Sequence, residues 1–222
     1  SIVLLIVFRK RTSLLGCGNA AVVELKRVSD EIPEDEINHY SKEYNPMLIV
    51  MGTRGKSQKE LDLIGSVTAE VLDSTKFPVF AVPESVPFTM IDEVNNIAFF
   101  TNFDQQDLIA IDTFMRLFGS YDFKVNFVHM NTKRDAWNEI KLAGMKEYFD
   151  KHYPGREVAY MMLDGDDFLN SVEKFIRDEK IDILTMTTRK RNIFARLFNP
   201  SIAHKMLFHA DTPLLVIPSV GW

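Results

Sequence analysis

Strand-like and helix-like segments alternate along the second half of this chain, and this alternation is the strongest constraint on its fold. Segments with helical periodicity separate successive apolar runs of strand length. The predicted order is strand Ile97–Thr101, helix Asp107–Phe118, strand Lys124–His129, helix Asp135–Tyr153, strand Glu157–Leu163, helix Phe168–Glu179, strand Ile181–Met186, helix Ser201–His209 and strand Leu214–Ile217. Strands that alternate with helices form a parallel sheet with helices on both faces. The chain is therefore predicted to be an α/β protein with a doubly wound parallel sheet.

The chain also matches itself at an offset of 135 residues. This offset separates Pro78 from Pro213 and Pro83 from Pro218, and the apolar strands between these prolines correspond. It also aligns Ser66 with Ser201. The repeat predicts two tandem units, a first unit at residues 1–87 and a second unit at residues 93–222, with a polar connector between them.

A glycine-rich segment follows a predicted buried strand in the first unit. The apolar run Met47–Met51 leads into Gly52-Thr53-Arg54-Gly55, and Gly65-Ser66 comes at the predicted start of a helix. Backbone N–H groups at a helix N-terminus attract anions, and glycine lets the backbone approach a ligand closely. The segment therefore favours a phosphate site, although glycines that only serve turns would give the same residues.

The spacing G-x2-G-x9-G-S resembles the nucleotide-binding signature of the universal stress protein family. The strand Leu48-Ile49-Val50-Met51 before the loop and Pro78–Pro83 after it belong to the same resemblance, which covers roughly Val22 to Pro218. The resemblance implies two Rossmann-like domains of the adenine nucleotide α-hydrolase type, with ATP or a related adenine nucleotide bound in the first unit. The implied nucleotide contacts are Met51, Gly52, Arg54, Gly55, Gly65 and Ser66.

The first unit is shorter than the second. Its first strand and helix have no counterpart, so the adenine-contacting Asp that the family places after that strand is not assigned. We expect Ile2–Phe8 to be the second strand of the unit, followed by a much shortened helix and a strand that starts at Val22. The chain does not begin with Met, so a fragment, a processed form or a numbering that skips residues are alternatives.

The second unit lacks the glycine loop. At the 135-residue offset the three loop glycines become Thr187, Lys190 and Pro200, and a Cβ or a ring at each position obstructs close approach of a phosphate. Asn102 stands where the family often has Asp. We expect this unit to be degenerate for ATP. The basic run Thr187–Arg191 predicts either a solvated loop or an anion site formed by side chains.

Composition and charge exclude several classes of protein. The net charge is −5, which disfavours a general nucleic-acid binder. Cys17 is the only cysteine, so no internal disulfide forms, and a cytoplasmic location is the simplest expectation. The apolar run Ile2–Phe8 is too short to span a bilayer, so no membrane association is expected.

Signals for catalysis are weak. The five histidines lack metal-ligand spacing and are expected to be surface or packing residues, and no lysine follows the glycine loop in the Walker arrangement. We therefore predict no catalytic residues, no metal and no enzymatic activity, with slow ATP hydrolysis as the least favoured reading. The leading function is a stress-response regulatory module that binds adenine nucleotide in the first unit.

The alternative function is a nucleotide-free interaction module. The last strands of the two units, Val79–Val82 and Leu214–Ile217, are expected to pair the units with each other, to form a homodimer, or both, because open strand edges invite such pairing.

Overall fold

A computed structural model of the chain describes residues 4–10, 21–27, 33–52, 66–83, 85–86, 93–131, 136–164, 168–188 and 212–218. The first unit contributes strand β1 (Leu4–Lys10), strand β2 (Ala21–Arg27), helix α1 (Pro33–Tyr44), strand β3 (Ile49–Gly52), helix α2 (Ser66–Ser74) and strand β4 (Val79–Val82). Helix α2 begins at Ser66, as the sequence predicts. The boundaries of the two units at residues 87 and 93 stay a prediction.

The second unit follows the predicted alternation of strands and helices. Its elements are β5 (Asn96–Phe100), α3 (Gln105–Phe118), β6 (Lys124–Asn131), α4 (Ala136–His152), β7 (Val158–Asp164), α5 (Phe168–Asp178), β8 (Ile183–Thr187) and β9 (Leu214–Ile217). Each strand lies within one or two residues of its predicted position. The predicted helix Ser201–His209 lies outside the described residues.

The nine strands in the described segments form one sheet, in the order β2-β1-β3-β4-β9-β8-β5-β6-β7. In the second unit, β9, β8, β5, β6 and β7 are parallel to one another. This arrangement confirms the predicted α/β class and the doubly wound parallel sheet.

The two units join through their last strands. Strand β4 pairs antiparallel with β9, with Val79 opposite Val216, Phe80 opposite Leu215 and Ala81 opposite Leu214. The predicted pairing of the two units is confirmed. On their other sides β4 pairs with β3 and β9 pairs with β8, so neither last strand has an open edge for a second chain in this structure.

The expectation that Ile2–Phe8 is the second strand of a parallel unit is wrong. Strand β1 is antiparallel to both β2 and β3, and it occupies the position beside β3 that β5 occupies beside β8. The reason is chain length, because a crossover between parallel strands needs about a dozen or more residues. Only residues 11–20 separate β1 from β2, which is enough for an antiparallel connection.

Apolar side chains from both units share a core on each face of the sheet. On one face, Met51 of the first unit packs in the same layer as Met186 of the second, under α1, α2 and α5. On the other face, Phe80 packs in the same layer as Ile183 and Leu215, under α3 and α4. Because the layers are continuous across the β4–β9 pair, we expect the units to unfold together.

Leu215→Ala tests this shared core. Leu215 is fully buried at the junction of the units, so its truncation leaves a cavity and should lower the free energy of unfolding by about 3 kcal/mol. Urea denaturation should still show a single transition. As a control, Ile109→Ala removes a side chain that is 44% exposed and should change stability by less than about 0.5 kcal/mol. Two separate transitions in the unmodified protein would contradict the shared core.

Candidate functional site

The candidate sites lie at the carboxyl ends of the parallel strands. In open α/β sheets, ligands bind beyond these ends, at the point where the strand order reverses. In the second unit this point lies between β5 and β8. Strands β6 and β7 lie beyond β5 on one side, and β9 lies beyond β8 on the other side. In the first unit the corresponding place is the end of β3.

The end of β3 lies beside the first turn of α2. Gly52, the last residue of β3, is exposed. The Thr68 hydroxyl, in the first turn of α2, donates a hydrogen bond of 2.9 Å to the Gly52 carbonyl oxygen. Thr68 is buried, so this contact holds the helix N-terminus against the strand end. A strand end and a helix N-terminus therefore form one local structure at the predicted phosphate site.

The N-terminus of α2 carries no acidic residue in its first turn. Helix α1, by contrast, has Glu34, Asp35 and Glu36 in its first turn. Acidic side chains at this position offset the partial positive charge of the helix dipole. No acidic side chain in the first turn of α2 therefore offsets the attraction of this helix N-terminus for an external anion.

The structure brings part of the predicted nucleotide site together. Gly52 and the start of α2 at Ser66 are adjacent through the Thr68 contact. The Met51 side chain is 1% exposed and packs in the core, so only its backbone can reach a ligand. The other predicted contacts, Arg54, Gly55 and Gly65, lie outside the described residues.

In the second unit a buried carboxylate occupies the corresponding place. Asp107, in the first turn of α3, is 2% exposed. Its Oδ2 accepts hydrogen bonds from the Thr101 hydroxyl at 2.8 Å and from the Asn102 N–H at 2.6 Å. The Thr187 hydroxyl, at the end of β8, lies 3.5 Å from Asp107 Oδ1. This carboxylate therefore connects the ends of β5 and β8 with the start of α3.

The loop after β5 is ordered by local hydrogen bonds. The Phe103 N–H donates to the Thr101 hydroxyl at 2.8 Å, and Asp104 caps α3 by accepting from two backbone N–H groups. Phe103 has a φ of 57°, a strained value for an aromatic residue. Its buried ring packs in a tilted orientation against the His129 ring, with centroids 5.1 Å apart. His129 Nδ1 lies 2.9 Å from the Thr101 carbonyl oxygen, to which a protonated nitrogen donates.

The two units differ at the last residues of β3 and β8. Exposed Gly52 of the first unit corresponds to Thr187 of the second, which is 1% exposed and directs its hydroxyl toward Asp107. The side chain therefore occupies space that glycine leaves open. That the second unit is degenerate for ATP stays a prediction, and Lys190 and Pro200 lie outside the described residues.

Sequence reasoning missed Asp107 as a functional or organising residue. Its two hydroxyl partners are Thr101, six positions away, and Thr187, 80 positions away. The available signal was an Asp in the first helical turn after a strand, which predicts only a favourable helix-dipole contact. His129 is buried against Phe103. This position confirms the expectation that this histidine is a packing residue.

The described residues contain neither a metal-binding cluster nor a membrane-spanning helix. Among the residues that the structure describes, no three His, Cys, Asp or Glu side chains are grouped so that they could hold a metal ion. Within those segments no helix is both long enough and apolar enough to cross a bilayer.

Comparisons with known proteins give one family match over part of the chain and several similar folds. Residues 11–83 match the sequence model of the Universal stress protein family. The fold is similar to a universal stress protein from Archaeoglobus fulgidus DSM 4304, with a TM-score of 0.58 and 21% identity over 84% of this chain and 65% of that one. It is also similar to a functionally unknown protein from Pseudomonas aeruginosa PAO1, with a TM-score of 0.52 and 11% identity over 86% of this chain and 69% of that one. No curated protein sequence matches the chain.

These similarities have a defined extent. The family match covers the predicted glycine loop and both strands that flank it. The chain spans 65% of the length of the Archaeoglobus protein. At 21% identity or less, the likeness to solved structures supports the mixed α/β fold.

Asp107→Ala tests the buried carboxylate. The substitution should lower the free energy of unfolding by about 3 kcal/mol, because the groups that donate hydrogen bonds to the buried carboxylate lose their acceptor. Asp104→Ala is the matched control in the same turn. It removes only the N-cap of α3, and it should cost about 1 kcal/mol. Equal losses in urea denaturation would show that Asp107 acts only as another helix-start residue.

Proposed function

We propose that the first unit binds an adenine nucleotide and that the chain is a regulatory binding module of the universal stress protein kind. The observation that carries the proposal is the contact between exposed Gly52 and the first turn of α2, which has no acidic residue of its own. Phosphate groups suit this arrangement because helix N–H groups donate hydrogen bonds to them. The family match over residues 11–83 supports the same assignment.

Each predicted contact has a role in this proposal. The backbones of Met51 and Gly52 would face the base and the ribose, and the loop glycines together with Ser66 would approach the phosphates. Arg54 would supply a positive charge to those phosphates. ATP is the first candidate ligand, and ADP and AMP share the chemistry that the site would recognise.

The proposal assigns one nucleotide to each chain. In the second unit, the Thr187 hydroxyl lies beside the buried Asp107 carboxylate at the place where phosphates would approach. A ligand there would have to displace buried hydrogen bonds, whereas the end of β3 offers an exposed glycine. The stoichiometry therefore distinguishes this proposal from two equivalent sites.

Binding, rather than turnover, is the proposed output. The predicted site contains no carboxylate or imidazole that could activate water, so slow ATP hydrolysis is the weakest alternative. The nucleotide-free interaction module is the stronger one, because the β4–β9 pair shows that last strands of this type associate. The single cysteine, Cys17, supports a reducing compartment such as the cytoplasm.

The first experiment is to denature the purified protein and identify any released small molecule by mass spectrometry. We expect one adenine nucleotide per chain, or, for protein isolated empty, saturable binding of added ATP, ADP or AMP in calorimetry. An empty protein that ignores all three nucleotides would refute the proposal and favour the interaction module.

Gly65→Val tests the loop itself. A branched side chain where the backbone should meet the phosphates is expected to weaken nucleotide binding by more than about a hundredfold, or about 2.7 kcal/mol. As a control, Pro200→Val introduces valine at the equivalent position of the second unit and should leave the affinity for the nucleotide unchanged. Phosphate release from ATP that persists in Gly65→Val would come from a contaminant rather than from this site.

A further inference from the structure

The nine-stranded sheet ends in two outer strands, β2 and β7. Strand β7 pairs with β6 in an uninterrupted parallel register from Val158 to Asp164. In the part of the chain that the structure describes, no strand pairs with the other side of β7. Its outward N–H and C=O groups therefore form an open edge seven residues long.

The two outer strands differ in charge. Strand β2 contains Glu24, Lys26 and Arg27. Strand β7 contains no charged residue from Val158 to Leu163, and it has neither a proline nor a bulge. Charges, prolines and bulges are the devices by which natural edge strands avoid pairing with other chains. From Val158 to Leu163 the β7 edge lacks all three.

We propose that β7 pairs antiparallel with β7 of a second copy of this chain, across a twofold axis, so that one sheet runs through both chains. A twofold interface requires only that one surface complement itself. The last strands, which the sequence suggested for a homodimer, are already paired inside the chain. The self-association surface therefore lies at the opposite end of the second unit.

One register makes the edge self-complementary. With Tyr160 opposite Tyr160 of the second chain, Val158 comes opposite Met162 and Arg156 comes opposite Asp164. Met162 is 41% exposed, so its side chain gains an apolar neighbour from the second chain.

The side chain at the centre of this register is already held in place. The Tyr160 ring stacks on Phe127 with centroids 5.5 Å apart, and the Lys146 ammonium lies 5.1 Å from its centroid. Arg156, at the end of the register, donates to the carbonyl oxygens of Gly119 and Tyr121. Pairing therefore orders few additional groups, which lowers its entropic cost.

The test is the mass of the intact 222-residue chain in solution, measured by light scattering during size-exclusion chromatography over a dilution series. The expected mass is twice 25.5 kDa. Met162→Lys places a charge within the paired edge and should shift the protein to monomer, with a dissociation constant raised by about a hundredfold or more. Ile140→Lys, at a residue of α4 that is 59% exposed, is the matched control and should remain a dimer.

Two further measurements keep the result decisive. Both variants should retain the thermal unfolding midpoint of the unmodified protein, so that loss of the dimer is not loss of the fold. Amide hydrogen exchange in β7 should slow as protein concentration rises. A monomer at every concentration, a dimer that survives Met162→Lys, or a particle that contains a different protein would each overturn the proposal.

Discussion

The structure depends on the antiparallel pair formed by β4 and β9. Without it, each unit would expose the edge of its last strand, and the first unit would have only a short sheet of four strands. With it, the strands form one sheet, and apolar layers on both faces contain side chains from both units. Burial of apolar area increases with the size of a core, so the shortened first unit gains stability from the complete second one.

The two units place different chemistry at equivalent strand ends. Gly52 at the end of β3 is exposed beside a helix N-terminus, whereas Thr187 at the end of β8 is buried and lies beside the carboxylate of Asp107. The same backbone position can therefore suit a ligand in one unit and a structural network in the other. The difference arises from a single Cβ and hydroxyl, because a glycine leaves backbone groups accessible that a larger residue covers.

Much of the fold could be predicted from local patterns. The described strands and helices of the second unit and the start of α2 at Ser66 follow from periodicity and helix-start residues. The direction of β1 could not be read from its apolar residues, because both parallel and antiparallel strands show such runs. Asp107 was missed for a related reason, since Thr187 approaches it only after β8 takes its place beside β5.

The sequence by itself determined the α/β class, and it predicted the two-unit organisation and the glycine loop that motivates the nucleotide proposal. These features depend on residues close together in the chain or on repetition at a constant offset. Only the tertiary structure decided that the last strands pair inside the chain, that Thr187 and Asp107 meet, and that β7 is an outer strand of the sheet. Those outcomes depend on strand order, which is set by contacts between residues far apart in the chain, and no local pattern encodes them.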